Sequence, residues 1–138
     1  MVVVDRFPKM AHLIGLHKNA TRKDVADSFL REVGKLHGLP TKIILDMEAK
    51  FSDEFCESLC KLRGVKRGMS TVYHPQTDRQ TERTNQVLEG YLPTFVNHDQ
   101  NDWYQLLPLA EHAYNNSATN VDKMTPFCAN YGFHPQME

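Results

Sequence analysis

The alternation of apolar and polar positions begins with two segments that predict a β-hairpin. Residues 2–4 are three consecutive valines, and such a β-branched run is typical of a buried strand. Residues 11–16 predict a second strand, and residues 7–9 contain the proline of the turn between them. The chain therefore starts with an antiparallel strand pair.

A helix is predicted after this hairpin. Thr21 is a favourable N-cap, and Asp24 stands three residues later, as in a capping box. Gly38 and Pro40 predict the end of the helix. Its apolar positions recur at helical spacing: Val25, Phe29, Val33 and Leu36.

The middle of the chain predicts a strand followed by a second helix. Residues 42–45 form a short strand with three apolar residues, and Asp46 stands at its carboxyl end. Ser52 can cap the helix, and Gly64 predicts its end. The predicted core face of that helix consists of Phe55, Leu59 and Leu62.

The remaining elements complete a mixed pattern. A brief strand at Val65 and a loop at residues 68–79 precede a polar helix from about Gln80 to about Asn97. Helices are also predicted from Trp103 to Ala113 and over residues 125–131, with Trp103 as a core anchor. The order of strands and helices predicts one mixed α/β domain spanning residues 1–138.

Composition narrows the class of protein. Hydrophobic residues make up 41% and charged residues 24%, as in ordinary globular domains. No apolar run approaches the roughly 20 residues that a membrane span needs. The odd count of 3 cysteines disfavours a disulfide framework, so we expect a reducing intracellular setting, nuclear or cytoplasmic. No membrane and no small-molecule substrate are expected as partners.

Charge is distributed unevenly along the chain. The net charge of −1 disfavours a strongly basic nucleic-acid-binding domain, but residues 61–83 carry six cations against Asp78 and Glu82. This basic segment fits contact with a phosphate backbone. A solvated charged face explains it equally well, and both interpretations stay open.

Asp46 and Glu82 carry the candidate chemistry. They bracket residues 47–81, an interval of 35 residues, and stand at the end of a predicted strand and the start of a predicted helix. Carboxylates from separate elements can converge on divalent ions that assist phosphoryl transfer. Two acids alone do not distinguish such a site from exposed surface charges.

Seven segments spread along the chain carry a shared pattern: VVVDRFPKMAH at 2–12, LHGLP at 36–40, ILD at 44–46, YHPQTDRQTERTN at 73–85, WYQLLPLAE at 103–111, AYNNS at 113–117 and TPF at 125–127. In this order they resemble the integrase core of gypsy-type LTR retrotransposons, and the resemblance extends over essentially the whole chain. The resemblance implies a ribonuclease-H-like fold with a mixed sheet, a D,D-35-E site for Mg²⁺ or Mn²⁺, and strand transfer on DNA. Asp46 matches the second catalytic acid and Glu82 the third.

The basic segment and the motif loop supply the candidate nucleic-acid contacts. The resemblance implies that residues of the basic segment and the motif loop contact DNA. Whether the chain forms a homo-oligomer is left open. Arg79 replaces a family glycine, and an arginine there can reach a phosphate. The candidates are Lys66, Arg67, His74, Gln76, Arg79 and Arg83.

The chain also departs from the family pattern. The first catalytic Asp of the family lies on a strand preceding residues 2–4, so we expect a truncated core that lacks its first strand. Asp5 matches a position that is not a metal ligand and is interpreted as a capping or salt-bridging residue. Met47 and Glu48 stand where the family has Arg-Gly. Whether Asp5 or Glu48 replaces the missing acid is open.

Two functions follow from these observations. The first is a retrotransposon integrase core, inactive as this polypeptide because one acid is missing. The alternative is a non-catalytic remnant, retained by a host or decaying, that binds nucleic acid or protein. The missing strand also predicts that residues 2–4 are unpaired along one edge.

Overall fold

The computed structural model describes residues 1–44, 49–63, 70–72, 90, 103–118 and 123–136. Within these ranges the chain is a mixed α/β protein, as predicted. It separates into two compact units, one formed by Met1–Gly15 with Gln80–Glu138 and the other by Leu16–Arg79. The elements are β1 (Val2–Val4), β2 (Ala11–Leu13), α1 (Arg22–Phe29), a π-helical turn (Leu30–Gly34), α2 (Lys35–His37), β3 (Lys42–Ile44), α3 (Ala49–Arg63), β4 (Ser70–Val72), α4 (Trp103–Asn115) and α5 (Pro126–Tyr131).

The predicted hairpin is confirmed in the first unit. Strands β1 and β2 pair antiparallel, with Val3 opposite His12. The Ile14 amide donates to the Met1 carbonyl at 2.8 Å. Strand β2 ends at Leu13, earlier than the predicted residue 16. At Gly15 the backbone passes so close to the Tyr104 ring that a Cβ would lie 2.3 Å from Cε2, so a side chain there would displace the ring.

The predicted helix of the second unit is confirmed as one helical run from Arg22 to His37. It begins with the predicted capping box, in which the Thr21 amide donates to Asp24 Oδ2 at 2.8 Å and the Asp24 amide donates to Thr21 Oγ1 at 3.3 Å. It ends at Gly38, whose φ of +74° lies in the region that favours glycine.

Replacing Thr21 by alanine is expected to destabilise the second unit by about 1 kcal/mol, because the Asp24 amide loses its acceptor, Thr21 Oγ1. The Thr21 hydroxyl donates to Asp24 Oδ2 at 2.7 Å, and this bond, together with the Thr21 amide bond to the same oxygen, lowers the pKa of Asp24 below its usual 3.8. A lowered folded-state pKa contributes stability above pH 3.8 that is lost as the pH falls through the folded value. Urea unfolding of wild type and Thr21→Ala at pH 7 and pH 3 measures how this stability difference changes with pH. An unchanged gap between wild type and Thr21→Ala at both pH values would contradict the linkage.

Helix α3 supplies the core of the second unit. Phe55 and Leu59 are buried, as predicted, but Leu62 is 42% exposed, so its assignment to the core face was wrong. Phe55 meets Phe29 of α1 edge to face, with ring centroids 5.9 Å apart. Leu62 lies in the last turn of α3, beyond the residues that form this contact.

Strands β3 and β4 pair in parallel, with Ile44 opposite Val72, and α3 lies between them in the chain. Together they form a β-α-β unit. The prediction of a loop over residues 68–79 was wrong at Ser70–Val72, because this segment pairs with β3 as a strand. The predicted strand at Val65 lies outside the described residues, as do residues 80–97 apart from Gly90, which is helical.

Both predicted C-terminal helices are confirmed as α4 and α5. Trp103, however, is 42% exposed, and its assignment as a core anchor was wrong. It is the first residue of α4, one turn before Leu107, the first buried residue of that helix. No helix in the described part of the chain is long and apolar enough to cross a membrane.

Candidate functional site

Every predicted site residue lies outside the part of the chain that the structure describes. This holds for the two acids and for the candidate nucleic-acid contacts, so their roles remain predictions. The structure does describe the strands that precede several of them. The residues concerned are Asp46, Glu82, Lys66, Arg67, His74, Gln76, Arg79 and Arg83.

The parallel pair defines the edge from which the predicted site segments leave. Ile44 ends β3, two positions before Asp46, and Val72 ends β4, two positions before His74. Because the two final residues are paired in parallel, both strands end at the same edge of the pair. The carboxyl edge of parallel strands is where α/β proteins place their ligand sites.

The donors that the sequence predicts for a metal are carboxylates. Asp46, Glu82 and Glu48 offer oxygen ligands, which Mg²⁺ and Mn²⁺ prefer. Within the described ranges, no group of three or more His, Cys, Asp or Glu side chains is placed to hold a metal. The chemistry of the predicted donors therefore fits a hard divalent cation.

Asp5 has a structural role in the hairpin turn. Its Oδ1 accepts the Phe7 amide at 2.8 Å, and its own amide donates to the Met10 carbonyl at 2.8 Å. These contacts close the turn in the way that Asp side chains commonly do. They support the interpretation of Asp5 as a capping residue.

Sequence reasoning missed a set of polar contacts between α4 and β2. Asn115 is fully buried; its Oδ1 accepts the Ala11 amide at 2.9 Å and its Nδ2 donates to the Ala11 carbonyl at 2.8 Å. Glu111 Oε2 accepts the Leu13 amide at 2.8 Å, and Oε1 lies 3.0 Å from Nδ1 of the buried His12. One helix thus satisfies three backbone groups of one strand.

Strand geometry explains why these two side chains suffice. In the antiparallel pair, Ala11 and Leu13 direct their amides and carbonyls away from β1. They lie roughly 6.6 Å apart along the strand, and Glu111 and Asn115 lie roughly 6 Å apart along the helix. The helix therefore takes the place of a neighbouring strand. The only sequence signal was an acid and an amide four residues apart, next to the apolar positions Leu107 and Ala110.

Comparison with known proteins gives no matching family model. The chain is similar to the Transposon Tf2-3, Tf2-4 and Tf2-5 polyproteins of Schizosaccharomyces pombe, with 35% identity over 136 residues in each case. The similarity covers 99% of the chain and 10% of each polyprotein, so the chain spans about a tenth of the length of these relatives. This similarity supports a retrotransposon-derived protein.

Proposed function

We propose that this chain is an integrase core of the ribonuclease-H-like class, acting in DNA integration by metal-dependent strand transfer. The observation that carries the proposal is the parallel edge of β3 and β4, two residues before Asp46 and two before His74. An antiparallel hairpin, a helix and a β-α-β unit, in that order, suit such a core. The similarity to Tf2 polyproteins adds a mobile-element origin.

In this proposal Asp46 and Glu82 hold Mg²⁺ or Mn²⁺. The bound metal supplies charge stabilisation for phosphoryl transfer. The cations of the basic segment neutralise DNA phosphates, while His74 and Gln76 hydrogen-bond to the DNA. The first catalytic acid of the resemblance has no match in these 138 residues. We therefore expect no strand transfer from this polypeptide alone, and joined product in Mg²⁺ or Mn²⁺ would contradict that expectation.

Metal binding tests the proposed site directly. Mn²⁺ at about ten times its dissociation constant is expected to stabilise the folded chain by roughly 1.4 kcal/mol, which raises Tm by a few degrees in a domain of this size. Asp46→Asn and Glu82→Gln should each remove the shift, because each deletes a charged ligand. Thermal melts with and without Mn²⁺ measure it.

Glu57→Gln is the matched control for this experiment. Glu57 is an exposed acid of α3 that pairs with Lys61 at 2.7 Å, and its removal should leave the metal shift intact. An equal Mn²⁺-induced shift in Tm for wild type and both site variants would show that the metal binds elsewhere. That result would contradict the assignment of Asp46 and Glu82 as its ligands. DNA binding without any metal shift would favour the non-catalytic remnant.

A further inference from the structure

The turn of the β1–β2 hairpin, residues 5–9, presents an aromatic ring to solvent. We call these residues the hairpin tip. Phe7 is 85% exposed, more than any other large hydrophobic side chain in the described part of the chain. Because burial of a phenylalanine side chain stabilises a fold, such an exposed ring contributes little to this one. The ring is therefore available for an external contact.

Hydrogen bonds within the hairpin tip hold this conformation without help from the Phe7 side chain. The Phe7 amide donates to Asp5 Oδ1 at 2.8 Å, and the Lys9 ammonium donates to the Arg6 carbonyl. Lys9 adopts a φ of +60°, which turns the backbone back toward β2. A ring held outward by its backbone loses little conformational freedom when it binds a partner.

Charge at the hairpin tip favours an anionic partner. Arg6 and Lys9 flank Phe7, while the Asp5 carboxylate accepts a backbone amide. The surrounding unit, Met1–Gly15 with Gln80–Glu138, is otherwise acidic. It contains eight acids and only four Lys or Arg residues, of which two stand in the hairpin tip. A ring between two cations suits an unpaired base between two phosphates.

We propose that the hairpin tip binds unpaired nucleotides, with Phe7 stacking on a base and with Arg6 and Lys9 contacting the adjoining phosphates. This inference rests on the proposed function, which supplies DNA as the partner. Stacking on a base does not depend on its identity, because every base has a π-face. The contact therefore adds affinity for frayed or single-stranded DNA without sequence preference.

Fluorescence anisotropy with the 138-residue chain in EDTA tests the hairpin tip separately from the metal site. The probes are a labelled thymidine strand of ~12 nucleotides and a blunt duplex. Phe7→Ala is expected to weaken binding to the single strand about tenfold, and the duplex less. Phe7→Tyr keeps a ring and should bind like wild type, whereas Phe7→Leu should behave like Phe7→Ala.

Two controls match the hairpin tip in exposure and backbone conformation. Phe133 is 60% exposed, and Phe133→Ala should leave affinity unchanged. Lys9 and Lys123 both have positive φ, 60° and 50°, so Lys9→Gln and Lys123→Gln impose similar backbone effects. Only Lys9→Gln should weaken binding. It should also make the affinity less dependent on salt concentration, by about the amount that one phosphate contact contributes.

The outcomes separate the two proposals. If Phe7→Ala binds like wild type while Lys66→Gln and Arg67→Gln weaken binding, the proposal for the hairpin tip is overturned, and DNA remains the partner of the chain. If wild type binds neither probe, DNA binding itself fails and both proposals fall. Full binding by Phe7→Leu, or Phe7-dependent binding to anionic phospholipid vesicles without oligonucleotide binding, indicates apolar docking and overturns base stacking.

Discussion

Replacing Asn115 with alanine is expected to lower the free energy of unfolding by about 3–5 kcal/mol. The side chain is fully buried and pairs with both the amide and the carbonyl of Ala11, which is itself fully buried. Truncation leaves two buried backbone groups without partners, each costing about 1–3 kcal/mol, and opens a cavity beside them. Few single changes in the described part of the chain remove so much at once.

Asn115→Asp separates hydrogen bonding from packing. The aspartate has nearly the same shape and can still accept the Ala11 amide, but its carboxylate cannot donate to the Ala11 carbonyl. Burial beside a carbonyl oxygen raises the pKa of the new carboxyl, because the charged form is disfavoured there. Its protonated form regains a donor, so this variant should approach wild-type stability as the pH falls below that raised pKa.

Urea unfolding across pH 4–7, followed by circular dichroism, measures both Asn115 variants. Asn116→Ala is the matched control, since Asn116 is the exposed neighbour and contacts His134 Nδ1 at 3.1 Å. Asn116→Ala should lower the free energy of unfolding by less than about 1 kcal/mol, as substitutions of exposed polar residues usually do. Equal losses for Asn115→Ala and Asn116→Ala would show that the contact of α4 with β2 contributes little to stability.

Replacing Phe55 with alanine is expected to destabilise the second unit by about 3–5 kcal/mol. The ring is 2% exposed and meets Phe29, itself 4% exposed, edge to face with an interplanar angle of 87°. Loss of the ring removes buried apolar area and an aromatic pair worth about 0.5–1.5 kcal/mol beyond that area. The contact joins α1 to α3, so its loss should loosen both helices.

Leu62→Ala is the control for Phe55, because Leu62 lies on the same helix and is 42% exposed. Leu62→Ala should lower the free energy of unfolding by well under half of the loss expected for Phe55→Ala. A double-mutant cycle of Phe29→Ala and Phe55→Ala should give a coupling energy of about 1 kcal/mol or more, since the two rings touch. Additive losses would contradict a direct aromatic contact, and equal losses at Phe55 and Leu62 would contradict the assignment of the core.

Much of the local structure could be predicted from short-range patterns. The hairpin of residues 2–4 with its partner, the capping box at Thr21 and Asp24, and the glycine end of the helix at Gly38 were predicted and are confirmed. Each depends on residues within a few positions of one another, where backbone preferences dominate. The parallel pairing of β3 with β4 was not predicted, because parallel strands are joined by a long crossover and their pairing depends on residues far apart in the chain.

The candidate site was predicted from a different kind of signal. The spacing of Asp46 and Glu82 and the surrounding motifs indicate an integrase core, and the similarity to Tf2 polyproteins supports the retrotransposon part of that prediction. The structure adds the edge at which β3 and β4 end. It does not describe the acids themselves, so metal binding stays a prediction for the thermal melts.

The sequence by itself determined the hairpin, most of the described helices and the shared motif pattern, and it predicts the acids of a metal site. It missed β4, and it placed the start of α3 at Ser52, whereas the helix begins at Ala49. Only the tertiary structure decided which residues are buried and which polar groups meet. Asn115 reaches Ala11 across 104 positions, and Glu111 reaches Leu13 across 98. Trp103 and Leu62 follow the apolar pattern yet lie partly in solvent. Periodicity reports one face of one helix, whereas burial depends on whether another element covers that turn.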